Sequence, residues 1–250
     1  MRIIRINYKG QSKWGVIKKE FIHLLEGTPF GKIKYSRQIV SVNNAKLLPA
    51  ANPSKIIMIG LNYREHAKEL GLNIPKTPVL FLKPPTSIAA TGENIIYPSG
   101  VKRLDYEAEL AFVIKKTARN IQEKKAKEYI LGYTCCNDVT ARDLQKEDGQ
   151  WTRAKSFDTF CPLGPHIETH IQPENLAIRS YLNGRLRQNS STSDFIFPVY
   201  YLLAFVSRIM TLLPGDVIST GTPHGIGKMK RGDTIEIEIS GIGRLKNRVA

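Results

Sequence analysis

Apolar and polar residues follow a strand-like spacing along most of this chain. Thr234–Ile239 alternate between polar and apolar side chains, which is the pattern of a strand with one buried face. Short apolar runs at Lys55–Gly60, Val79–Leu82 and Leu110–Ile114 are typical of buried strands. The pair Asn183-Gly184 lies between two further apolar runs and indicates a two-residue hairpin. The pattern therefore predicts many short strands.

Three segments have helical spacing instead. Asn62–Leu70 places apolar residues three and four positions apart, and Gly71 follows as a cap that ends a helix. A charged helix is expected over Ile121–Leu131, and an apolar helix over Val199–Leu212, ended by Pro214. Many strands with few helices predict a mainly β fold of the α+β class.

A change in composition near residue 50 divides the chain. Leu47–Pro53 holds two prolines and small residues, which is typical of a linker. The strand-like run Arg2–Tyr8 lies before it. We therefore expect a small, β-rich N-terminal domain over residues 1–50 and a main domain over residues 51–250.

The charge is distributed unevenly between these two parts. The chain carries 37 Lys+Arg and 22 Asp+Glu, a net charge of +15. Residues 1–50 hold 10 cations and 2 anions, and residues 51–250 hold 27 and 20. A basic end raises the alternative of a nucleic-acid-binding protein. No recognised binding module accompanies the charge, so we expect no nucleic-acid partner.

Composition excludes several classes of protein. With 250 residues, 42% of them hydrophobic and 24% charged, the chain is typical of a globular protein, not a disordered or fibrous one. No apolar run approaches the roughly 18 residues of a membrane helix, and the N-terminus lacks a signal peptide pattern. We therefore expect a cytoplasmic protein without a membrane partner. Its three cysteines do not form a disulfide framework and are expected to be buried.

Three carboxylates form a candidate metal site. Glu107 and Glu109 are two positions apart, so on a strand they point to the same face. Side-by-side carboxylates repel each other unless a cation or proton lies between them. Asp138 follows the apolar run Ile130–Cys136, where a third ligand can converge, and Asp105 and Asp143 are alternative ligands that spacing alone does not exclude. Carboxylate ligands favour a hard divalent cation, Mg²⁺ or Mn²⁺. Any E-x-E pair taken alone is more often a solvated strand face.

Further candidates lie outside this carboxylate group. His66 and Glu69 are neighbours on the predicted helix, and a carboxylate beside an imidazole is typical of a general base. A chance ion pair on an exposed helix is the plainer alternative. Lys155 is a candidate partner for substrate charge. The glycine-rich turn at residues 221–227 lets backbone N–H groups approach an anion.

Taken together, these motifs resemble the fumarylacetoacetate hydrolase family over roughly residues 47–250. The resemblance depends on their order along the chain as much as on their composition. The motifs are Gly60-Leu61-Asn62-Tyr63 with His66 and Glu69, Phe81-Leu82-Lys83-Pro84, Leu104–Leu110, Asn137–Gln145, Lys155-Ser156-Phe157-Asp158, Pro162-Leu163-Gly164-Pro165, Asn183-Gly184, Gln188, Leu213–Pro223 and Gly241-Ile242-Gly243.

The resemblance implies a fold and a role for each matching residue. It implies a mixed β-sandwich or roll with a small N-terminal domain, assembled as a homodimer. The implied roles are metal ligands of Mg²⁺ or Mn²⁺ for Glu107, Glu109 and Asp138, catalytic residues for His66, Glu69 and Lys155, and substrate contacts for Arg142, Gln145 and Thr222.

The resemblance also implies a reaction. The expected activity is cleavage of a C–C bond in a 2-oxo or β-diketo acid of the acylpyruvate type, by water that His66 and Glu69 activate and through a metal-stabilised enolate. An isomerase, a tautomerase or an oxaloacetate-type decarboxylase uses the same enolate chemistry, and these alternatives stay open. The identity of the small-molecule substrate does not follow from the motifs.

Overall fold

Twenty strands and four α-helices make up the computed structural model, which describes residues 1–250. The mainly β, α+β class is therefore confirmed. The strands are β1 (Arg2–Tyr8), β2 (Gln11–Lys18), β3 (Phe21–Leu25), β4 (Tyr35–Ser41), β5 (Lys46–Leu47), β6 (Ile56–Gly60), β7 (Val79–Lys83), β8 (Ile88–Ala89), β9 (Asn94–Ile95), β10 (Leu104–Tyr106), β11 (Ala108–Ile114), β12 (Ile130–Asn137), β13 (Thr140–Ala141), β14 (Cys161–Glu168), β15 (Ala177–Leu182), β16 (Arg185–Ser191), β17 (Val217–Ser219), β18 (Gly227–Met229), β19 (Thr234–Ile239) and β20 (Gly243–Val249). The α-helices are α1 (Arg64–Glu69), α2 (Arg142–Asp148), α3 (Thr152–Lys155) and α4 (Val199–Ile209).

The strands form three sheets. The largest has twelve strands, ten of them in the order β4-β3-β2-β1-β14-β12-β11-β17-β6-β7, with β5 beside β1 and β8 beside β14. A five-stranded sheet has the order β16-β15-β19-β20-β9, and a three-stranded one the order β13-β10-β18. Most pairs are antiparallel, but β17 and β6 run parallel. The sheets are therefore mixed, as the family resemblance implies.

Alternate residues of β11 enter two different hydrophobic clusters. Leu110 and Phe112 belong to the larger cluster, which also includes residues of the five-stranded sheet and of α4. Ala111 and Val113 belong to a second cluster with residues of the N-terminal strands. Successive side chains of a strand point to opposite faces, so β11 is buried on both sides. Such a strand holds the side chains at its ends in a rigid position.

The N-terminal strands extend the large sheet directly. β1 pairs with β14 through Ile3 and Ile167, and both residues lie in the second cluster. The hairpin β1–β2 and strands β3 and β4 then continue the sheet to its far edge. A separate domain over residues 1–50 stays a prediction, but its strands share a sheet with those that follow.

One predicted helix is wrong. Within Ile121–Leu131 the structure has a 3₁₀ helix over Glu123–Tyr129, and the strand β12 begins at Ile130. Ala126 is the only buried residue of the 3₁₀ helix, so this segment has no apolar stripe that would stabilise an α-helix. The predicted helix over Val199–Leu212 exists as α4 and ends earlier, at Ile209. No helix of the chain has both the length and the apolar composition that crossing a membrane requires.

The predicted hairpin is confirmed. Asn183 and Gly184 connect β15 to β16, and their φ angles are 52° and 75°. Positive φ at both central residues is the requirement of a type I′ turn, which matches the twist of paired strands. An asparagine followed by a glycine meets that requirement with little strain.

Candidate active site

One cavity of about 570 Å³ collects the residues that the sequence singles out. It opens at the ends of β6, β11 and β12, beside α1 and α2. All nine predicted site residues line it: His66, Glu69, Glu107, Glu109, Asp138, Arg142, Gln145, Lys155 and Thr222. Their convergence is a property of the fold, because they come from segments as far apart as residues 66 and 222. Their roles stay predictions.

The three carboxylates meet where two strands end. Glu107 is the single residue between β10 and β11, and Glu109 is the second residue of β11. Asp138 follows β12, and its backbone N–H donates to the carbonyl oxygen of Glu107 over 2.9 Å. The Asn137 side chain accepts a hydrogen bond from the Glu107 N–H. One oxygen from each carboxylate lies within 4.8 Å of the others, and all three residues are buried.

This donor set fits a hard divalent cation. Three buried carboxylates offer oxygen ligands, which Mg²⁺ and Mn²⁺ prefer over the nitrogen and sulfur ligands of zinc sites. Glu109 uses Oε2 to accept from the Ser219 hydroxyl (2.5 Å) and the Gly221 N–H (3.0 Å), which leaves Oε1 free. Burial raises the pKa of Glu109 well above its usual value, and the adjacent Asp138 carboxylate raises it further. A cation would remove this repulsion.

Lys155 lies between two of the carboxylates. Its Nζ donates to Glu107 Oε2 over 3.1 Å, to Asp138 Oδ2 over 2.6 Å and to the Thr140 hydroxyl over 2.6 Å. Burial acts to lower the pKa of Lys155, but Asp138 and Glu107 outweigh that effect and raise the pKa above its usual value. Lys155 therefore contributes a permanent positive charge to the cavity wall.

Arg142 is bound to the carboxylate group on its other side. Its Nε donates to Asp105 Oδ2 over 2.9 Å, one terminal nitrogen donates to Gln145 Oε1 over 2.5 Å, and the other contacts Glu107. Burial raises the pKa of Glu107, but Lys155 and Arg142 reverse that effect and hold the pKa below its usual range. In this arrangement Arg142 orients a predicted metal ligand, and Gln145 keeps its amide N–H groups for a ligand in the cavity.

His66 and Glu69 form the predicted pair on α1. His66 Nδ1 lies 2.9 Å from Glu69 Oε2, and the other carboxylate oxygen of Glu69 accepts from the Gly225 N–H. The carboxylate favours the proton on Nδ1, which leaves Nε2 as the atom that can accept a proton. His66 is buried, whereas the Glu69 side chain is 40% exposed, and the role of the pair stays a prediction.

The glycine-rich turn brings Thr222 to the same cavity. Gly221 has a φ of 88°, and a Cβ there would lie 2.9 Å from the Asn62 side chain, so glycine is needed. The buried Gln188 donates to the Thr222 hydroxyl oxygen and the Pro223 carbonyl, while its Oε1 accepts from the Ala108 N–H. Thr222 accepts in this contact, so its own O–H is free to donate to a ligand.

Two further residues, Gln188 and Lys83, belong to the sequence motifs but have no predicted role. Gln188 connects the start of β11 to the glycine-rich turn. Lys83 is fully buried, and its Nζ lies 2.5 Å from Asp138 Oδ1. The sequence signal for Lys83 was a charged residue at the end of the apolar run Val79–Leu82, directly before Pro84-Pro85.

Comparison with known proteins identifies the family of the chain. Residues 55–250 match the family described as "Fumarylacetoacetate (FAA) hydrolase C-terminal", and residues 1–49 match "Rv2993c-like, N-terminal". An uncharacterized protein of Methanocaldococcus jannaschii is 58% identical over 79% of this chain and 83% of its own length. The chain therefore belongs to the fumarylacetoacetate hydrolase family, and it is an enzyme of that family.

Two further relatives have names that describe a reaction. The mitochondrial oxaloacetate tautomerase fahd2 of Xenopus laevis is 42% identical, and the match covers 92% of this chain and 77% of that protein. The crystal structure of 5-carboxymethyl-2-hydroxymuconate delta-isomerase from Mycobacterium smegmatis has a TM-score of 0.95 and 40% identity, over 100% of this chain and 99% of that one.

Proposed function

We propose that this chain is a divalent-metal-dependent enzyme that acts on a small 2-oxo acid. The observation that carries the proposal is that the carboxylates Glu107, Glu109 and Asp138 line the same cavity as the His66–Glu69 pair. We assign the three carboxylates as ligands of Mg²⁺ or Mn²⁺. A divalent cation, when bound there, supplies a Lewis acid that stabilises the negative charge of an enolate.

The charges around the cavity favour an anionic substrate. Lys83, Lys155 and Arg142 contact Glu107 and Asp138, whereas Glu109 forms no ion pair with them. Arg142 also pairs with Asp105. A divalent cation would add two positive charges to this site. Arg103 and Lys146 also line the cavity and are exposed to solvent, where they attract anions from outside. A 2-oxo acid carries the carboxylate that this field selects.

We assign His66 as the group that moves a proton. Its Nε2 is free to accept a proton from water or from a substrate carbon, and Glu69 stabilises the imidazolium that results. The Thr222 hydroxyl and the Gln145 amide are free donors that can orient the substrate carboxylate or carbonyl. Lys155 adds positive charge where the reaction creates an oxyanion.

Hydrolytic C–C cleavage of an acylpyruvate-type acid is the first candidate reaction. His66 would take a proton from water, and the hydroxide would attack the distal carbonyl carbon. The C–C bond then breaks, leaving a carboxylic acid that contains the water oxygen and a pyruvate enolate that is protonated to pyruvate. The buried base and the neighbouring donors support this sequence of steps.

Isomerisation or tautomerisation is the second candidate, and the names of two relatives favour it. Both reactions need an enolate and a base that moves a proton between two atoms, without an attacking water. The His66–Glu69 pair is sufficient for that step. The same cavity would therefore move a proton between carbon and oxygen, or between two carbons.

The reaction can be determined with metal-loaded and metal-free protein. We expect Mn²⁺- or Mg²⁺-loaded protein in H₂¹⁸O to convert acetylpyruvate to pyruvate and ¹⁸O-labelled acetate, followed by NMR and mass spectrometry. Oxaloacetate is the second probe: faster keto–enol exchange indicates a tautomerase, and pyruvate with CO₂ indicates a decarboxylase. Absence of any metal-dependent reaction with 2-oxo acids, in folded protein that binds metal, contradicts the proposal.

The Glu69→Gln variant tests the role of the pair. The Gly225 N–H holds the carbonyl oxygen of the new amide, so its NH₂ group faces His66 Nδ1 and forces the proton onto Nε2. His66 then cannot accept a proton, and we expect kcat to fall about 10³-fold with unchanged metal affinity. Glu65→Gln, on the same helix but exposed, is the matched control and keeps normal kcat. Equal activity of both variants would exclude His66 as the base.

We also propose that the protein forms a homodimer in solution. The strand β7 lies at one edge of the large sheet, and its Val79 and Leu82 are exposed apolar residues. Exposed apolar residues on an edge strand are commonly covered by a partner. Sedimentation velocity tests this proposal, and a single monomer peak at micromolar concentration would contradict it. A cytoplasmic location stays a prediction.

A further inference from the structure

Lys83 is a buried charge that the proposed reaction does not use. Its side chain has no exposed surface, and its ammonium group has three oxygen neighbours. Nζ lies 2.5 Å from Asp138 Oδ1 and donates to the carbonyl oxygens of Val139 (3.1 Å) and Phe160 (2.5 Å). A buried ammonium persists only when it is paired and hydrogen-bonded, as it is here.

The position of Lys83 connects three segments that are distant in the sequence. Lys83 is the last residue of the edge strand β7, and Pro84 then ends the strand. Its ammonium group reaches the turn after β12, at Asp138 and Val139, and the residue before β14, Phe160. The end of β12 is therefore held by a side chain from a strand that does not pair with it.

Lys83 contacts Asp138 from the side that faces away from the cavity. Lys155 and Asp138 line the cavity, whereas Lys83 does not. Lys155 donates a hydrogen bond to Asp138 Oδ2, and Lys83 forms an ion pair with Oδ1. The carboxylate thus has a lysine ammonium group beside each of its oxygens. Lys83 cannot touch a substrate in the cavity and acts on it only through Asp138.

The same strand also supports the other lysine. Phe81 and Lys83 are two positions apart on β7, so their side chains lie on one face. The ammonium group of Lys155 lies 5.1 Å from the centre of the Phe81 ring. This face of β7 therefore supplies one of the two lysines beside Asp138, Lys83, and contacts the other, Lys155, through Phe81.

We propose that Lys83 is a positioning residue that fixes the orientation of the Asp138 carboxylate in the metal site. The inference rests on the proposed function, because it takes Asp138 as a metal ligand. A ligand carboxylate needs a second partner that fixes its orientation, and loss of such a partner typically weakens metal binding 10- to 100-fold. The positive charge of Lys83 has the opposite effect, since it repels a divalent cation.

Because the two effects are opposite, the direction in which Lys83→Met changes Mn²⁺ affinity distinguishes them. If Lys83 positions Asp138, then Lys83→Met weakens Mn²⁺ binding, and we expect the dissociation constant to rise 10- to 100-fold by isothermal titration calorimetry. The kcat at saturating Mn²⁺ should recover to within a few-fold of the wild-type value, because Lys83 does not touch substrate. The electron paramagnetic resonance spectrum of bound Mn²⁺ should broaden, because the ligand geometry becomes less uniform.

Lys55→Met is the matched control. Lys55 Nζ also lies 2.5 Å from a buried aspartate oxygen, Asp216 Oδ2. Asp216 does not line the cavity, and its hydrogen bonds go to Ser54, Lys55 and Leu213, not to the three carboxylates. Lys55→Met should have a lower free energy of unfolding, measured with urea, and should keep the wild-type Mn²⁺ affinity and electron paramagnetic resonance spectrum. If Lys83→Met is unfolded, Lys83→Gln retains a donor for the two carbonyls and should show the same weakened binding.

The outcomes separate this inference from the proposed function. Wild-type protein that binds neither Mn²⁺ nor Mg²⁺ contradicts the proposed function, and the inference fails with it. Wild-type protein that binds Mn²⁺, with equal or tighter binding by the folded Lys83 variant, overturns only the inference. Tighter binding would show that Lys83 affects metal affinity through its charge, which repels the cation, and not through its positioning of Asp138.

Discussion

Two buried carboxylates at opposite ends of β17 have contrasting surroundings. Asp216 precedes the strand and accepts five hydrogen bonds, from the backbone N–H groups of Ser54, Lys55 and Leu213, the Ser54 hydroxyl and the Lys55 ammonium group. Glu109 contacts Ser219 at the other end of the strand, accepts two hydrogen bonds at one oxygen and faces two other carboxylates.

The difference separates a structural carboxylate from a candidate ligand. Asp216 has donors on both oxygens and does not line the candidate-site cavity, and it joins the start of β6 to the start of β17. Glu109 is only half satisfied by the chain and lines a cavity, so a group from outside can complete its contacts. Burial alone does not distinguish the two residues, because both are buried. The position of Glu109 on the cavity, beside two other carboxylates, does.

The largest effect should come from Glu109→Gln. The amide has nearly the same shape but no charge, so Mn²⁺ affinity should fall at least 100-fold, or about 3 kcal/mol. The metal-free variant should be more stable than metal-free wild type by about 1–2 kcal/mol, because a buried repulsion is removed. Titration calorimetry and urea unfolding measure the two quantities. Undiminished metal binding would show that Glu109 is not a ligand.

Asp216→Asn should have the opposite effect on stability. It leaves the Lys55 ammonium group without its carboxylate partner and replaces acceptors with an amide NH₂ that faces donors. We expect the free energy of unfolding to fall by about 3 kcal/mol, with Mn²⁺ affinity unchanged in the folded protein. If Glu109→Gln and Asp216→Asn changed the free energy of unfolding in the same direction, the distinction between a structural carboxylate and a candidate ligand would be wrong.

The smallest effect concerns a buried histidine away from both ends of β17. Burial lowers the pKa of His166 to about 4, with Arg2 and the N-terminal amine adding to the shift and Glu168 opposing it. Between about pH 6.5 and 4 the unfolded chain binds a proton that the folded chain excludes, so stability falls as the pH falls.

The His166→Gln variant isolates that contribution. Wild type should lose about 2 kcal/mol more than the variant between pH 7 and pH 5, measured by urea unfolding at each pH. His23→Gln, which changes a histidine on β3, serves as the control and should follow the wild-type curve. Parallel curves for wild type and His166→Gln would show that His166 titrates normally in the folded protein.

Local patterns predicted the elements better than their contacts. The alternation at Thr234–Ile239 and the Asn183-Gly184 turn depend on neighbouring residues, and both are confirmed. The α-helix expected over Ile121–Leu131 is absent because an α-helix there needs an apolar face, and the structure buries only Ala126 on the 3₁₀ helix. Glu107 and Glu109 do not lie on one continuous strand, because Glu107 is the residue that separates β10 from β11.

The sequence by itself determined the family, the mainly β class and nine of the nineteen residues that line the cavity. Those features are encoded in short motifs and in residue spacing. Only the tertiary structure decided three contacts: the ion pair of Arg142 with Glu107, the hydrogen bond from Gln188 to Thr222, and the ion pair of Lys83 with Asp138. Lys83 lies 56 and 77 positions before the two carbonyl groups to which it donates hydrogen bonds. Contacts over such separations depend on the order of strands in the sheet, which no local spacing encodes.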